Sequence, residues 1–202
     1  MTDNVKGSLG VVNGDNGDLT VFKPQGLTIP MGKVKSELPK YWSRDYVNER
    51  IGLVKNHRHR MMLTFMWMTG CRITEVCTLR KRDIDFSNFT VQIRWLKSRK
   101  YHFRRIPMHP NLKVLLELFV ATMKEDDVVF PISRQRAWQL VHKYLDGHPH
   151  QLRHSFAVNW LRCGGDITIL SRMLGHRQIQ TTMEYLKIVP VDQGKELLKV
   201  EF

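Results

Sequence analysis

The sequence predicts an α+β fold that is mainly helical, with a small three-stranded antiparallel sheet packed beside a helical bundle. Three observations carry this. Apolar residues recur at helical spacing through most of the chain after residue 38. Beyond residue 38, alternating, β-rich runs are confined to residues 83–108. Of the 202 residues, 42% are apolar and 25% charged, enough for one well-packed domain and inconsistent with disorder throughout.

Residues 1–37 read as an arm. Six of the 13 glycines fall in the first 36 residues, beside Asn13, Asp15, Asn16 and Asp18, a composition that favours turns over helix. Leu9, Val11 and Val12 can pair with Leu19, Val21 and Phe22 as a hairpin around that turn, or the segment can stay unpaired. A lone hairpin is marginal in water, so the sequence favours neither.

From residue 38 to residue 202 the pattern is globular, with a tail from about residue 190. Ser43 can cap a helix reaching about Val54, and a second helix runs from His57 to Met68. The second carries Met61, Met62, Leu63, Phe65, Met66 and Trp67 around most of its circumference, which marks a buried central helix. A short turn and helix fills residues 70–80. Three strands follow, at Asp83–Phe86, Val91–Leu96 and Arg104–Met108. Leu112 to Met123 make an amphipathic helix, and Ser133 caps another through Tyr144. Shorter helices are predicted at 150–163, 166–174, 179–187 and 192–199.

Charge narrows the function. The chain has 32 basic and 19 acidic side chains, a net +13 with histidine neutral, which suits an extended polyanion better than a small neutral substrate. Residues 1–36 contribute only +1 of this, so the folded body is the basic part. No run approaches the roughly 18 apolar residues of a membrane span, and the start, Met-Thr-Asp-Asn, lacks the basic-then-apolar order of a secretory signal. The expectation is a cytoplasmic, nucleoid-associated protein with no membrane partner. Cys71, Cys77 and Cys163 are odd in number and show no C-x-x-C spacing, so they read as small buried apolar residues.

The chemistry concentrates in HPHQLRHSFAVNWLRCGGDITILSRMLGHRQIQTTMEYL, residues 148–186. If Pro149 opens a helix, His150 and Arg153 share one face, with His154 a step further round. Gly164-Gly165 ends that helix and Asp166 caps the next. Leu174-Gly175-His176 then turns the chain, and Tyr185 follows on a further short helix.

Such a set fits a phosphodiester if Tyr185 is the attacking group. A free tyrosine has a pKa of about 10 and needs a base or nearby cations, and His150 is the candidate base. Guanidinium forks match the oxygens of a phosphoryl transition state, so a second arginine is expected: Arg72 in MTGCRITEV, with Glu75 able to orient it. Residues 94–105 contain Arg94, Lys97, Arg99, Lys100, Arg104 and Arg105 with no acidic residue. This predicts a cationic hairpin whose Lys97 protonates the departing sugar oxygen while its neighbours contact DNA phosphates. The histidines at 148, 150 and 154, and the pair His57 and His59, can also be read as metal ligands, but no cysteine or carboxylate completes a tetrahedral set at typical spacing.

These motifs resemble the catalytic domain of the tyrosine recombinases, the phage-integrase family, over about residues 38–190. TGCRITEV looks like the family's first arginine box with Arg72. HQLRH looks like its histidine–arginine box, with His150 and Arg153. His176 in the Leu-Gly-His box lies 23 residues beyond Arg153, and Tyr185 nine residues later. Lys97 looks like the hairpin lysine, with Lys100 as its competitor. His154 joins Arg94, Arg99, Lys100, Arg104 and Arg105 as an expected DNA contact.

The resemblance implies the tyrosine-recombinase catalytic fold and a metal-free reaction without a nucleotide cofactor. In that reaction Tyr185 cuts DNA to a 3′-phosphotyrosyl link, and a 5′-hydroxyl attacks back. It implies a site-specific recombinase of double-stranded DNA, tetrameric on its sites and monomeric or weakly associated when free, with an accessory DNA-bending protein as a possible helper. The other readings are a type IB topoisomerase-like activity and a non-catalytic DNA-binding regulator. Only about 37 residues precede the match, where most members carry a helical DNA-clamping domain. The chain thus resembles the short fimbrial phase-switch or plasmid-borne recombinases, encoded by a bacterium, phage or plasmid. Val191, Leu197, Leu198, Val200 and Phe202 offer apolar material for docking the tail, on a neighbouring protomer or on its own domain.

Overall fold

The computed structural model describes residues 11–13, 19–22, 28–30, 39–94, 103–176 and 178–189. The chain divides into two units, Met1–Leu38 and Pro39–Phe202. In the first, β1 (Val11–Asn13), β2 (Leu19–Phe22) and β3 (Thr28–Pro30) pair antiparallel in that order, Val21 lying between Val11 and Ile29. The hairpin therefore gains a third strand that sequence reasoning passed over, because Pro30 has no N–H to give a ladder and is tolerated only at an edge.

The second unit is built around α2 (His57–Thr69). Met61, Met62, Leu63, Phe65, Met66 and Trp67 are all buried, and the helix packs against α1 (Arg44–Gly52), α4 (Pro110–Val120) and α6 (Pro149–Arg162). Beyond its first turn, where His57, Arg58 and Arg60 are exposed, the helix is apolar around most of its circumference, so this part of α2 can only be central. Asn56 caps its start, its side chain accepting from the His59 N–H at 3.0 Å. Its end is forced by Gly70, which adopts φ +64° and puts its own Cα against Phe156, where a Cβ would meet ring carbon at 2.4 Å. The chain then enters α3 (Ile73–Val76), with Arg72 as the residue before it.

The sheet is β4 (Ile84–Asp85), β5 (Thr90–Arg94) and β6 (Phe103–Pro107), antiparallel in sequence order. Val91 and Ile93 on β5 and Ile106 on β6 bury one face in the core. The β5–β6 pairing runs out to Arg94 opposite Phe103. The connection that follows, 95–102, lies outside the described residues, as does the helix expected at 192–199.

α5 (Arg134–Leu145) is capped by Ser133, and α6 opens with His148 as cap and Pro149 as its first residue. Ser155 of α6 accepts from the Trp42 N–H at 2.7 Å, and the Tyr46 hydroxyl of α1 donates to the Leu145 carbonyl at 3.1 Å, so α1 is clamped to α5 and α6. α7 (Ile167–Leu174) follows, capped by Asp166. The predicted 179–187 helix is α8 (Gln180–Met183) continued by one 3-10 turn, Glu184–Lys187. The cysteine expectation needs correction: Cys71 is buried, but Cys77 is only partly covered and Cys163 is exposed. Cys163 occupies the C-terminal cap of α6, outside the helical turns whose spacing suggested burial. Among the described residues no helix is long and apolar enough to cross a membrane.

Candidate active site

The site is assembled at the C-terminal end of α7. Backbone carbonyls there have no partner within the helix and carry its negative dipole end, which draws cations. Leu174 O accepts from Arg153 Nη2 at 2.5 Å and from Arg72 Nη1 at 3.4 Å; Met173 O accepts from Arg104 Nε at 2.7 Å. Three arginines from α6, from the α2–α3 turn and from β6 thus meet at one helix terminus. Gly175 closes it at φ +65°, and any side chain there would also press on Arg104, whose Cδ lies 3.2 Å from the Cβ position.

Glu75 neutralises part of this charge. Its carboxylate accepts from Arg104 Nη1 and Nη2 at 2.8 and 2.7 Å, from Arg72 Nη1 at 3.1 Å and from the Arg72 backbone N–H at 2.7 Å. Burial alone would raise the Glu75 pKa, but the hydrogen bonds and charge of Arg104, then the contacts of Arg72, hold it below the usual carboxylate range. The fork-to-fork pair with Arg104 fixes both groups.

Arg153 is 4% exposed and gives Nη1 to Gly70 O at 2.8 Å, so the turn that ends α2 and the turn that ends α7 hold the same guanidinium. Burial, and then the charge of Arg72, lower its pKa to about 10, which leaves it protonated at neutral pH. Its Nη2 also lies 3.2 Å from His176 Nε2. A guanidinium only donates, so Nε2 must accept and the His176 proton sits on Nδ1, which meets Thr182 Oγ1 at 2.7 Å. Burial, then the charges of Arg153, Arg72 and Arg104, keep this ring neutral with a pKa of about 4. Thr182 is three residues before Tyr185, so the His176 bond sets the position of the segment that carries the tyrosine.

Tyr185 is 3% exposed and its hydroxyl lies 2.8 Å from His154 Nδ1. Burial raises the phenol pKa, opposed by the charges of Arg153 and then Arg72. The two arginines, His176 and Tyr185 are therefore brought together as the sequence spacing suggested. His150 is exposed on α6, its ring centroid 6.4 Å from that of His154, and has no bond to Tyr185 among the described residues. Burial, then Arg153, lower its pKa. The ring that meets the phenol is that of His154, one helical turn beyond His150; sequence reasoning placed His154 among the DNA contacts.

The hairpin residues separate. Arg104 was expected on a phosphate, but its side chain is 9% exposed and committed to Glu75 and Met173. The signal was present in the alternation of β6: Arg104 shares a face with buried Ile106, while Arg105 shares the exposed face with Phe103 and Pro107. Arg105 is exposed and has no ion pair among the described residues. Arg94 is part-exposed with Nη2 3.7 Å from Asp83, and its buried Nε has no partner among the described residues. Lys97, Arg99 and Lys100 lie outside the described residues. Thr182 was missed, since a threonine on a short helix carries no signal of its own.

Comparison with known proteins bears on the fold and the family. The tyrosine recombinase XerA of Pyrococcus horikoshii is 32% identical over 187 residues, covering 83% of this chain and 65% of that protein. The chain therefore spans somewhat less than two thirds of that relative. Among solved structures, XerH site-specific recombinase bound to palindromic difH substrate superposes with a TM-score of 0.67 at 18% identity, over 88% of this chain and 60% of that one. The catalytic domain of bacteriophage HP1 integrase gives 0.64 at 21%, over 80% of this chain and 95% of that one. The fold is that of the tyrosine-recombinase catalytic domains. The Phage integrase family profile matches residues 47–190, and the chain belongs to this family.

Proposed function

We propose that this protein is a site-specific DNA recombinase that cuts and rejoins double-stranded DNA through a 3′-phosphotyrosyl intermediate. One observation carries the reading: Arg72, Arg153, His176 and Tyr185 converge on the end of α7 although they are spread over more than half the domain. In this scheme Tyr185 Oη attacks phosphorus and the bond to O5′ breaks. Arg72 and Arg153 stabilise charge on the non-bridging oxygens. Arg72 can do so directly, since its side chain is 34% exposed and only Nη1 is engaged among the described residues. His176 holds Arg153 and, through Thr182, the tyrosine segment. His150, exposed at the start of α6, faces the DNA. Lys97 protonates the departing O5′. One phosphoester replaces another, so the exchange conserves bond energy and needs no nucleotide.

The net charge of +13 supports a DNA partner, as does the fold shared with a recombinase solved on its DNA site. Exchange of strands between two sites requires four protomers, so the protein assembles on DNA as a tetramer from monomers or weak oligomers. An accessory DNA-bending protein is compatible with this scheme. The buried phenol must leave its pocket to reach a phosphate, so the segment around Tyr185 shifts when DNA binds.

The test is a nicked suicide duplex carrying sequence from beside the gene. Loss of the short 5′ fragment should leave the protein covalently on the 3′ phosphate, with Tyr185 in the linked peptide, and two such sites on one plasmid should recombine. Relaxation of any supercoiled plasmid without a site would favour a topoisomerase instead, and binding with no adduct a regulator. Lys97→Ala should slow cleavage by about 10²–10⁴-fold on ordinary DNA and recover on a substrate with a 5′-bridging sulfur, whose leaving group needs no proton. Without that recovery, Lys100 takes the role.

A further inference from the structure

Resting on the reaction proposed above, we infer that Thr182 is a positioning residue for DNA cleavage. Its hydroxyl accepts from His176 in the free protein and donates to it once a phosphate diester is bound, so that the other ring nitrogen meets the diester as an N–H. Thr182 is fully buried on α8, and its Oγ1 lies 2.7 Å from His176 Nδ1. The Thr182 N–H gives to Ile179 O at 2.7 Å, and α8 packs on α7. The bond to His176 therefore ties down α8 rather than the 3-10 turn after it, so Tyr185 can leave its pocket while Thr182 stays in place.

Hydrogen inventory supports this role. In the free protein Arg153 Nη2 gives one hydrogen to Leu174 O and the other to His176 Nε2, which puts the ring proton on Nδ1 and makes Thr182 Oγ1 the acceptor. The Thr182 hydroxyl hydrogen then has no acceptor among the described residues, an unfavourable state for a side chain out of contact with water. The opposite tautomer cures this, because the hydroxyl donates to Nδ1, but it sets Nε2–H against the Arg153 N–H. Each arrangement leaves one hydrogen misplaced.

A diester decides between them. Its oxygen, on binding Arg153 Nη2, takes the hydrogen that Nε2 held and lies beside Nε2, where a lone pair repels it and an N–H bonds it. Burial, then the charges of Arg153, Arg72, Arg104 and His154, hold the His176 pKa at about 4, so the ring meets the diester neutral. The change is one of tautomer: a proton leaves Nδ1 for water, another reaches Nε2 from water, and the ring's charge is unaltered. Nδ1 donates in one state and accepts in the other, and a hydroxyl serves both by rotating one hydrogen.

Ring-nitrogen NMR shifts and single-turnover adduct formation together test the assignment. In Tyr185→Phe, which binds an uncut duplex without reacting, His176 should be protonated on Nδ1 in the free protein and on Nε2 in the complex. The same tautomer in both, or a complex with both nitrogens protonated, overturns the proposal. Adduct formation on the nicked suicide duplex at neutral pH separates the hydroxyl from packing. Thr182→Val keeps the shape and loses the hydroxyl; Thr182→Ser keeps the hydroxyl and loses a buried methyl. The valine variant should bind the duplex within about twofold of the parent and form adduct about 10–100-fold more slowly, because Nδ1 has no donor when Nε2 turns to the diester. The serine variant should react within about threefold of the parent. A valine variant within about threefold of the parent, or a serine variant slower than the valine one, overturns the proposal. If the parent forms no adduct at all, the recombinase reading itself fails; if it does and Thr182→Val matches it, only this inference does.

Discussion

Tyr185→Phe is expected to form no covalent DNA adduct while binding DNA as tightly as the parent. The ring that packs beneath α6 is retained, so the position of the segment is preserved, and only the oxygen that would bond to phosphorus is gone. The change is not silent for stability. His154 Nδ1, which is part-buried, loses its partner, and since a fully buried polar group left unpaired costs about 1–3 kcal/mol, the loss here falls toward the lower end. Thermal melting should therefore drop by a few degrees, and denaturing gels of the suicide-substrate reaction should show free protein only. Persistence of the adduct would remove Tyr185 from the role of nucleophile.

Glu75→Gln should have the largest effect on stability, a loss of about 3–5 kcal/mol at neutral pH, the usual result of breaking one side of a buried ion pair. Among the described residues its carboxylate is the one acidic group bonded to the guanidinium groups of Arg72 and Arg104, and the side chains of Arg104 and Glu75 are only 9% and 5% exposed. Glutamine has the same shape but leaves the arginines to repel one another. The effect depends on pH with a definite sign. Folding lowers the Glu75 pKa, so the unfolded chain takes the proton more readily, with a reference value of about 4.3. The stabilisation is complete above that value and disappears as pH falls through the lower folded value. His154 and His176, held at about 4 against about 6.5 when unfolded, also lose their contribution in acid, but they do so equally in parent and variant. Urea titrations of the two proteins should therefore differ widely at pH 7 and converge below pH 4. A gap that stays constant with pH would show that Glu75 acts by shape alone. Adduct formation by the variant should also fall by about 10²–10³-fold at neutral pH, since Arg72 loses the carboxylate that aims it.

The helices and the second sheet were legible because their signals are local. The all-round apolar pattern of His57–Met68, the Ser43 and Ser133 caps and the alternation across residues 90–107 each depend on near neighbours in the chain. The site was legible in part, through the intervals separating Arg153, His176 and Tyr185. Histidine roles were not. His150 and His154 differ by one turn of helix, and which of them meets Tyr185 depends on how the 3-10 turn at Glu184–Lys187 lies across α6. Arg104 was misjudged because a run of like charges reads as a solvated face, and the charge that pulls it inward, Glu75, is 29 residues away.

By itself, the sequence determined the class of fold, the family and the chemical inventory of two arginines, a tyrosine and attendant histidines, because periodicity and spacing are written along the chain. Only the tertiary structure decided which arginine faces outward, which imidazole holds the phenol and where the histidine protons reside. Those are settled by electrostatics among groups from α2, β6, α6 and α7, whose strength depends on distance and burial, and neither exists until the chain has folded.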